Sequence, residues 1–195
     1  MALVYHTAAG KVNNFLVWAD LRPVWFVSIM LSMILIVLFG LPGAGKSYVG
    51  RLLRDEFGYY LHEADDDIPA DYKRDVAAGQ VVSDARRDAY HRLLVECVAA
   101  LRAAHPRLAV AVPLLRDKHR HWLAERFPDA VFILVTCAAG PWEARLAGRT
   151  HTVGLDYARK VVSLYEPPTL PHATLDDSAE GAAPLREQLH HILSA

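Results

Sequence analysis

The chain has 195 residues, 53% of them apolar and 22% charged, which excludes an intrinsically disordered protein. Lysine plus arginine number 21 and aspartate plus glutamate 22, for a formal net charge of −1. That balance gives no electrostatic basis for binding nucleic acid or an anionic membrane.

The length suits one compact domain with a core of its own. Cys97 and Cys137 show no CxxC spacing and no His/Cys metal pattern. They read as reduced, semi-buried thiols of a cytoplasmic protein. Residues 24–41, VWFVSIMLSMILIVLFGL, carry no charge and are long enough for a bilayer span. That reading conflicts with the glycine-rich loop that follows, which must leave a strand in a water-accessible sheet. We therefore expect a domain over residues 33–195, starting at Met33. Residues 1–32 are expected to be an appendage, with an over-long start as one explanation. No stable membrane association is expected. No cleavage pattern separates the apolar run from the loop, which argues against a signal peptide.

ILIVLF at 34–39 is a continuous apolar run, as in a strand buried on both faces. The spacing of Val49, Leu52, Leu53 and Phe57 predicts a helix from Lys46 that Gly58 stops. YYLHEADDD reads as a short strand ending in acid. DARRDAYHRLLVECVAALRAA reads as a long amphipathic helix ended by His105-Pro106. Then come a strand in RLAVAVPLL, a helix in DKHRHWLAERF and a strand in AVFILVTC. Helices follow in PWEARLAGR and DYARKVVSLY, the second stopped by Pro167-Pro168, then a short strand near HATLDD and a final helix from Pro184. Strands alternating with helices predict an α/β fold with a parallel sheet of about five strands and helices on both faces.

Gly40, Gly45, Lys46 and Ser47 satisfy GxxxxGK[ST], with Gly43 as a third glycine. Glycines let the backbone N–H groups turn inward onto phosphate oxygens, and the following helix adds its positive end. Gly40, Gly43, Ala44, Gly45, Lys46, Ser47 and Tyr48 are the expected nucleotide contacts. Lys46 would reach the β/γ-phosphates, and the Ser47 hydroxyl would meet Mg²⁺. ATP and Mg²⁺ are the expected cofactors. Glu63 and Asp65, two apart at the end of an extended strand, are expected to point the same way. Glu63 would order the metal and Asp65 would meet the acceptor hydroxyl. Asp66 and Asp67 read as a solvated acidic turn capping the next helix, and the choice between Asp65 and Asp66 as base stays open.

Four blocks in order resemble the gluconate-kinase-like branch of the P-loop small-molecule kinases, with a more distant likeness to shikimate and adenylylsulfate kinases. They are the loop; EADD with Pro69 and GQVVSDARR; PLLR with the later HR; and Arg145, Arg149, His151 and LYEPP. The likeness covers about residues 33–193. It implies a three-layer kinase fold with a short lid, and phosphoryl transfer from ATP to a small metabolite. It sets Arg116 in the family's lysine place and Arg120 in its arginine place, and brings Arg87 into register as a carboxylate clamp. Arg145 and Arg149 become lid residues, Arg149 among the catalytic groups. TLDDS resembles the family's adenine-side loop. Glu63 replaces the family's first Asp, Ile68 its usual histidine, and Pro113-Leu114 its serine-alanine, and the lid is one residue shorter before His151. Most of these departures lie on the acceptor side, so kinase chemistry is carried over more firmly than gluconate as substrate.

Arg87, Arg116 and Arg120 together predict an anionic acceptor. Trp122 and Trp142 are assigned to core packing, and His119 and His121, two apart on a helix, make no metal pair. The favoured reading is an ATP-dependent kinase of a sugar acid such as gluconate, with a homodimer compatible with it. The alternatives are another small-molecule P-loop kinase, acting on shikimate, adenylylsulfate, a nucleotide or a polynucleotide end, and a non-catalytic ATP-binding module.

Overall fold

Strand β1, Ile34–Phe39, is buried from its second residue on, and Leu35 to Phe39 expose no surface at all. The structure is a computed structural model that describes residues 34–147, 155–179 and 181–194. These belong to the compact unit Ser32–Ala195; the expected appendage, residues 1–32, lies outside them.

After β1 come α1 (Lys46–Phe57), β2 (Tyr60–Glu63), a 3₁₀ turn (Ala64–Asp67), α2 (Ala70–Ala77) and α3 (Asp84–Ala104). They are followed by β3 (Arg107–Ala111), α4 (Asp117–Arg126), β4 (Val131–Thr136), α5 (Ala139–Ala147), α6 (Leu155–Val162), β5 (Ala173–Asp176) and α7 (Ala183–Ser194). The five strands form a sheet in the order β2-β3-β1-β4-β5, with every pairing parallel.

Alternation along β1 builds both faces of the core. Leu35, Val37 and Phe39 pack with Leu94 and Val98 of α3 and with Leu123 of α4. Ile36 and Leu38 pack with Val49, Leu52 and Leu53 of α1 and with Leu185 and Leu189 of α7. Each such side chain contributes roughly 1.5–3 kcal/mol by leaving water. The chain thus forms the expected three layers, with β1 central. Residues 34–39 of the uncharged run pair with β3 on one edge and β4 on the other, as a strand and not as part of a membrane helix. Among the described residues no helix is long and apolar enough to cross a membrane.

Two local readings are corrected. The acidic run leaves the strand after Glu63 and turns as 3₁₀ over Ala64–Asp67, because aspartates favour turns over extended ladders. Helix α2 fills a stretch where periodicity marked no element. It is short, and only Tyr72 on it is buried, so it carries almost no apolar stripe to read.

Candidate functional site

From β1 the chain passes to β2 on one side and, after β3, to β4 on the other. That reversal opens a crevice at the carboxyl end of β1. The glycine-rich loop occupies it. Gly40 and Gly45 have φ of 140° and 105°, a left-handed region that side-chain-bearing residues avoid. A Cβ on Gly45 would collide with the Asp177 carboxylate, and one on Gly40 with the Val135 carbonyl. Helix α1 starts at Lys46 and points its N-terminus at the loop.

Lys46 Nζ donates to the Leu41 carbonyl at 2.8 Å and to the Gly40 carbonyl at 3.2 Å. The Ala44 N–H is spent inside the loop on the Leu41 carbonyl at 3.2 Å, and Ala44 packs into the core. Tyr48 is half-buried and packs against the same core under α1, away from the cavity described below. Ser47 Oγ donates to Glu63 Oε2 at 3.0 Å. Burial raises the Glu63 carboxyl above its ordinary value, while the Ser47 bond pulls it down. A hydroxyl and a carboxylate beside a phosphate loop form an oxygen set that fits Mg²⁺.

A cavity of about 200 Å³ joins this loop to a second region. Pro42, Gly43, Gly45, Lys46, Ser47, Glu63 and Asp65 line it. Ile68, Tyr72, Val76, Tyr90, Leu115, Tyr157 and Val161 also line it, with Arg87, His91 and Pro113 among them. Glu63 and Asp65 therefore reach one cavity, as expected, although the second stands on the turn and not on the strand. Tyr90, whose hydroxyl donates to the Ala64 carbonyl at 2.6 Å, ties α3 to that turn.

Arg87 is 4% exposed. Its Nε donates to the Val82 carbonyl at 3.1 Å, while its buried Nη2 has no hydrogen-bond partner among the described residues. Arg87 thus contributes a buried guanidinium to the lining of the cavity.

The other two acceptor-side arginines go elsewhere. Arg120 is fully buried and donates to Asp117 Oδ1 at 2.9 Å, the Leu114 carbonyl at 2.5 Å and the Glu166 carbonyl at 2.6 Å. It also lies over the rings of Phe39 and Tyr165. Burial opposes ionisation of Asp117, but bonds from Thr169 and Arg120 hold its carboxyl down at about 2. Arg116 pairs with Asp84 and Glu166, each at 3.1 Å. Neither arginine lines the cavity; both fasten α4 to neighbouring segments. The expected triple cluster of positive charge reduces there to Arg87.

Arg145 pairs with Asp177 Oδ2 at 2.7 Å and with the Asp177 carbonyl at 2.9 Å. Asp177, 2% exposed, sits against Gly45, so Arg145 braces the loop and does not line the cavity. Burial raises the Asp177 carboxyl, and Arg145 opposes that. Trp142 also braces the loop, donating its indole N–H to the Pro42 carbonyl at 2.7 Å. This corrects the expectation of plain core packing: a partly buried indole N–H needs an acceptor, and Pro42 supplies it. Trp122, half-buried, lies under Arg92 and Lys118. Asp66 and Asp67 do not cap α2, whose N-cap is Pro69; the Asp66 carbonyl accepts from Lys73 and Asp67 accepts from His62 and Cys97. Arg149 and His151 lie outside the described residues. Tyr72, Tyr90, His91 and Tyr157 were not singled out in the sequence, where they are indistinguishable from helix packing.

The fold and the loop define a P-loop kinase. No protein-family model matches the chain. A shikimate kinase from Thermobifida fusca is 32% identical over 139 residues, covering 68% of this chain and 71% of that protein. A gluconokinase from Sinorhizobium meliloti superposes with a TM-score of 0.69 at 22% identity, over 83% of this chain and 92% of its own. A sugar kinase from Janibacter superposes with a TM-score of 0.70 at 20% identity, over 83% and 93%. The two superpositions establish the fold. With the sequence relationship, the chain belongs to the P-loop small-molecule kinases, the family of the shikimate kinases and gluconokinases.

Proposed function

We propose that the protein transfers the γ-phosphoryl group of ATP to a hydroxyl of a small anionic metabolite, a sugar acid with gluconate as first candidate. The observation that carries this reading is one cavity lined by Lys46 and Ser47 of the loop, by Asp65 and by the buried Arg87. In-line transfer needs a phosphate cradle and an acceptor-orienting carboxylate in the same space.

In this reading the loop glycines and Lys46 hold the phosphates. Lys46 exchanges its two carbonyl partners for phosphate oxygens. Ser47 and Glu63 would hold Mg²⁺, which supplies charge neutralisation on the phosphate oxygens. Asp65 orients the acceptor hydroxyl and takes its proton. Arg149, assigned to a lid by the resemblance, would stabilise charge on the transferring group. Arg87 binds the acceptor's carboxylate. The kinase domain spans residues 33–195 and works in the cytoplasm.

A second acceptor has its own support. The wall of Ile68, Tyr72, Val76, Tyr90 and Leu115 offers little to satisfy the many hydroxyls of an open-chain sugar acid. It suits a smaller, less hydroxylated ring acid, and the relative with 32% identity is a shikimate kinase. The test is ADP release from ATP-Mg²⁺ in the presence of gluconate, shikimate or an uncharged polyol. The reading expects turnover that depends on one of the acids. ATP binding with no acid-dependent turnover would favour a non-catalytic nucleotide module.

A further inference from the structure

Spacing along the chain showed no metal pattern, yet the fold gathers three ligand types at one point. His62 on β2, Asp67 at the end of the 3₁₀ turn and Cys97 on α3 bring Nε2, a carboxylate oxygen and Sγ within 4.8 Å of one another. The separations are 2.8 Å from His62 Nε2 to Asp67 Oδ2, 3.2 Å from Cys97 Sγ to that oxygen, and 3.9 Å from Cys97 Sγ to His62 Nε2.

Tetrahedral bonds of about 2.0–2.3 Å place ligand atoms roughly 3.3–3.6 Å apart. The three separations straddle that range, so shifts of a few tenths of an ångström complete a three-ligand set. His62 is 12% exposed and Asp67 37%, leaving a solvent-facing fourth position for water. One imidazole, one carboxylate and one thiol select a borderline-soft divalent cation over Mg²⁺ or Ca²⁺.

We propose that His62, Asp67 and Cys97 form a binding site for a zinc-like divalent cation. His62 and Glu63 are adjacent on a strand and project to opposite faces, so the site stands apart from the cavity that Glu63 lines. Binding replaces the S–H bond of Cys97 with a sulfur–metal bond and releases that proton to solvent. The His62 proton moves to Nδ1, freeing Nε2 for the metal. The ion ties β2 and α3 to the turn that also carries Asp65.

The test titrates Co²⁺, then Zn²⁺, into the untagged, metal-stripped full chain. Binding of one Co²⁺ with a near-ultraviolet thiolate-to-cobalt band is expected, bleached by Zn²⁺, together with a Zn²⁺-dependent rise in Tm. Cys97→Ala should abolish the band and the Tm response, and Cys137→Ala should keep both. His62→Ala should weaken binding by more than the ten- to hundredfold typical of losing an outer-shell partner. No binding by the wild-type chain, binding without a thiolate band, or a band that survives in Cys97→Ala would each overturn the site.

Discussion

His91 stacks on His119 with ring centroids 3.8 Å apart and 9° between the planes. His91 Nδ1 lies 2.7 Å from the Arg87 carbonyl, which can only accept, so that nitrogen carries the proton. Nε2 is then a buried lone pair with no partner among the described residues. On the other ring, Nε2 lies 2.8 Å from Asp88, and Nδ1 is the atom without a partner among the described residues. Two imidazoles face each other beside the Arg87 guanidinium, an arrangement that a second proton would disrupt.

Stability should therefore depend on pH through these rings. Burial, then the neighbouring His119, lowers the His91 pKa from 6.5 to about 3, and burial lowers that of His119 as well. Between those values for His91 the unfolded chain binds more protons than the folded one. Stability is then fully present above pH 6.5 and falls as pH drops toward 3, by up to ~1.4 kcal/mol per pH unit for this group. Asp88 and Asp117, each held at about 2, add losses only below about pH 3.8. Urea midpoints measured from pH 7 to pH 4.5 should fall steeply for the wild-type chain and less for His91→Phe. Equal slopes would remove His91 from the account.

Arg120 is a structural cation. Its replacement by alanine strips the donor from two carbonyls and from one side of Asp117, which keeps its bonds from Thr169, a loss of about 1.5–3 kcal/mol or more for the charged contacts. Arg116 is more exposed and its pairs are worth about 0–1 kcal/mol. Thermal unfolding of Arg120→Ala and Arg116→Ala checks the contrast. Similar melting points would show that the Arg120 clamp contributes little.

What could be read from the sequence follows the range of the interactions. β1, the loop and α1 are adjacent in the chain, and their pattern is local: an apolar run, glycines where φ is positive, then helical spacing. The sheet followed from alternation. The acceptor end was harder to read, because an arginine looks the same in a sequence whether it faces a ligand or pins two segments. Arg87 and Arg120 are both buried, and only the tertiary partners of Arg120 separate them. Asp177 reaches the loop from just past the end of β5, 132 residues after Gly45, and no local signal announces that contact. The same holds for Cys97, brought to His62 across 35 positions.

Lys46 and Asp65 should separate by kinetics. In the proposed mechanism Lys46→Ala would remove a charge-assisted contact to the transferring phosphates and should lower kcat by roughly a hundredfold or more; unchanged turnover would sink the kinase reading. Asp65→Asn should lower kcat while ATP affinity stays within a few-fold, since in the proposed mechanism the carboxylate acts in the transition state. Lost ATP binding with kcat spared would mean that Asp65 serves the nucleotide.

In the proposed reading Arg87 decides the class of acceptor. It is the arginine in the cavity wall, its Nη2 is unmatched among the described residues, and the aromatic residues around it screen it from water. A carboxylate entering that wall meets the guanidinium where solvent competes little. Arg87→Ala should raise the acceptor KM by roughly ten- to a hundredfold, as expected for one charged contact of about 1.5–3 kcal/mol. ATP KM should barely move, because Arg87 stands on α3 and is not part of the phosphate loop. Arg116→Ala should leave the acceptor KM unchanged, since its partners are Asp84 and Glu166. Steady-state kinetics with each acid as variable substrate provides the measurement. Efficient phosphorylation of an uncharged polyol, indifferent to Arg87, would mean that the anion reading of the cavity is wrong while the phosphotransferase chemistry stands.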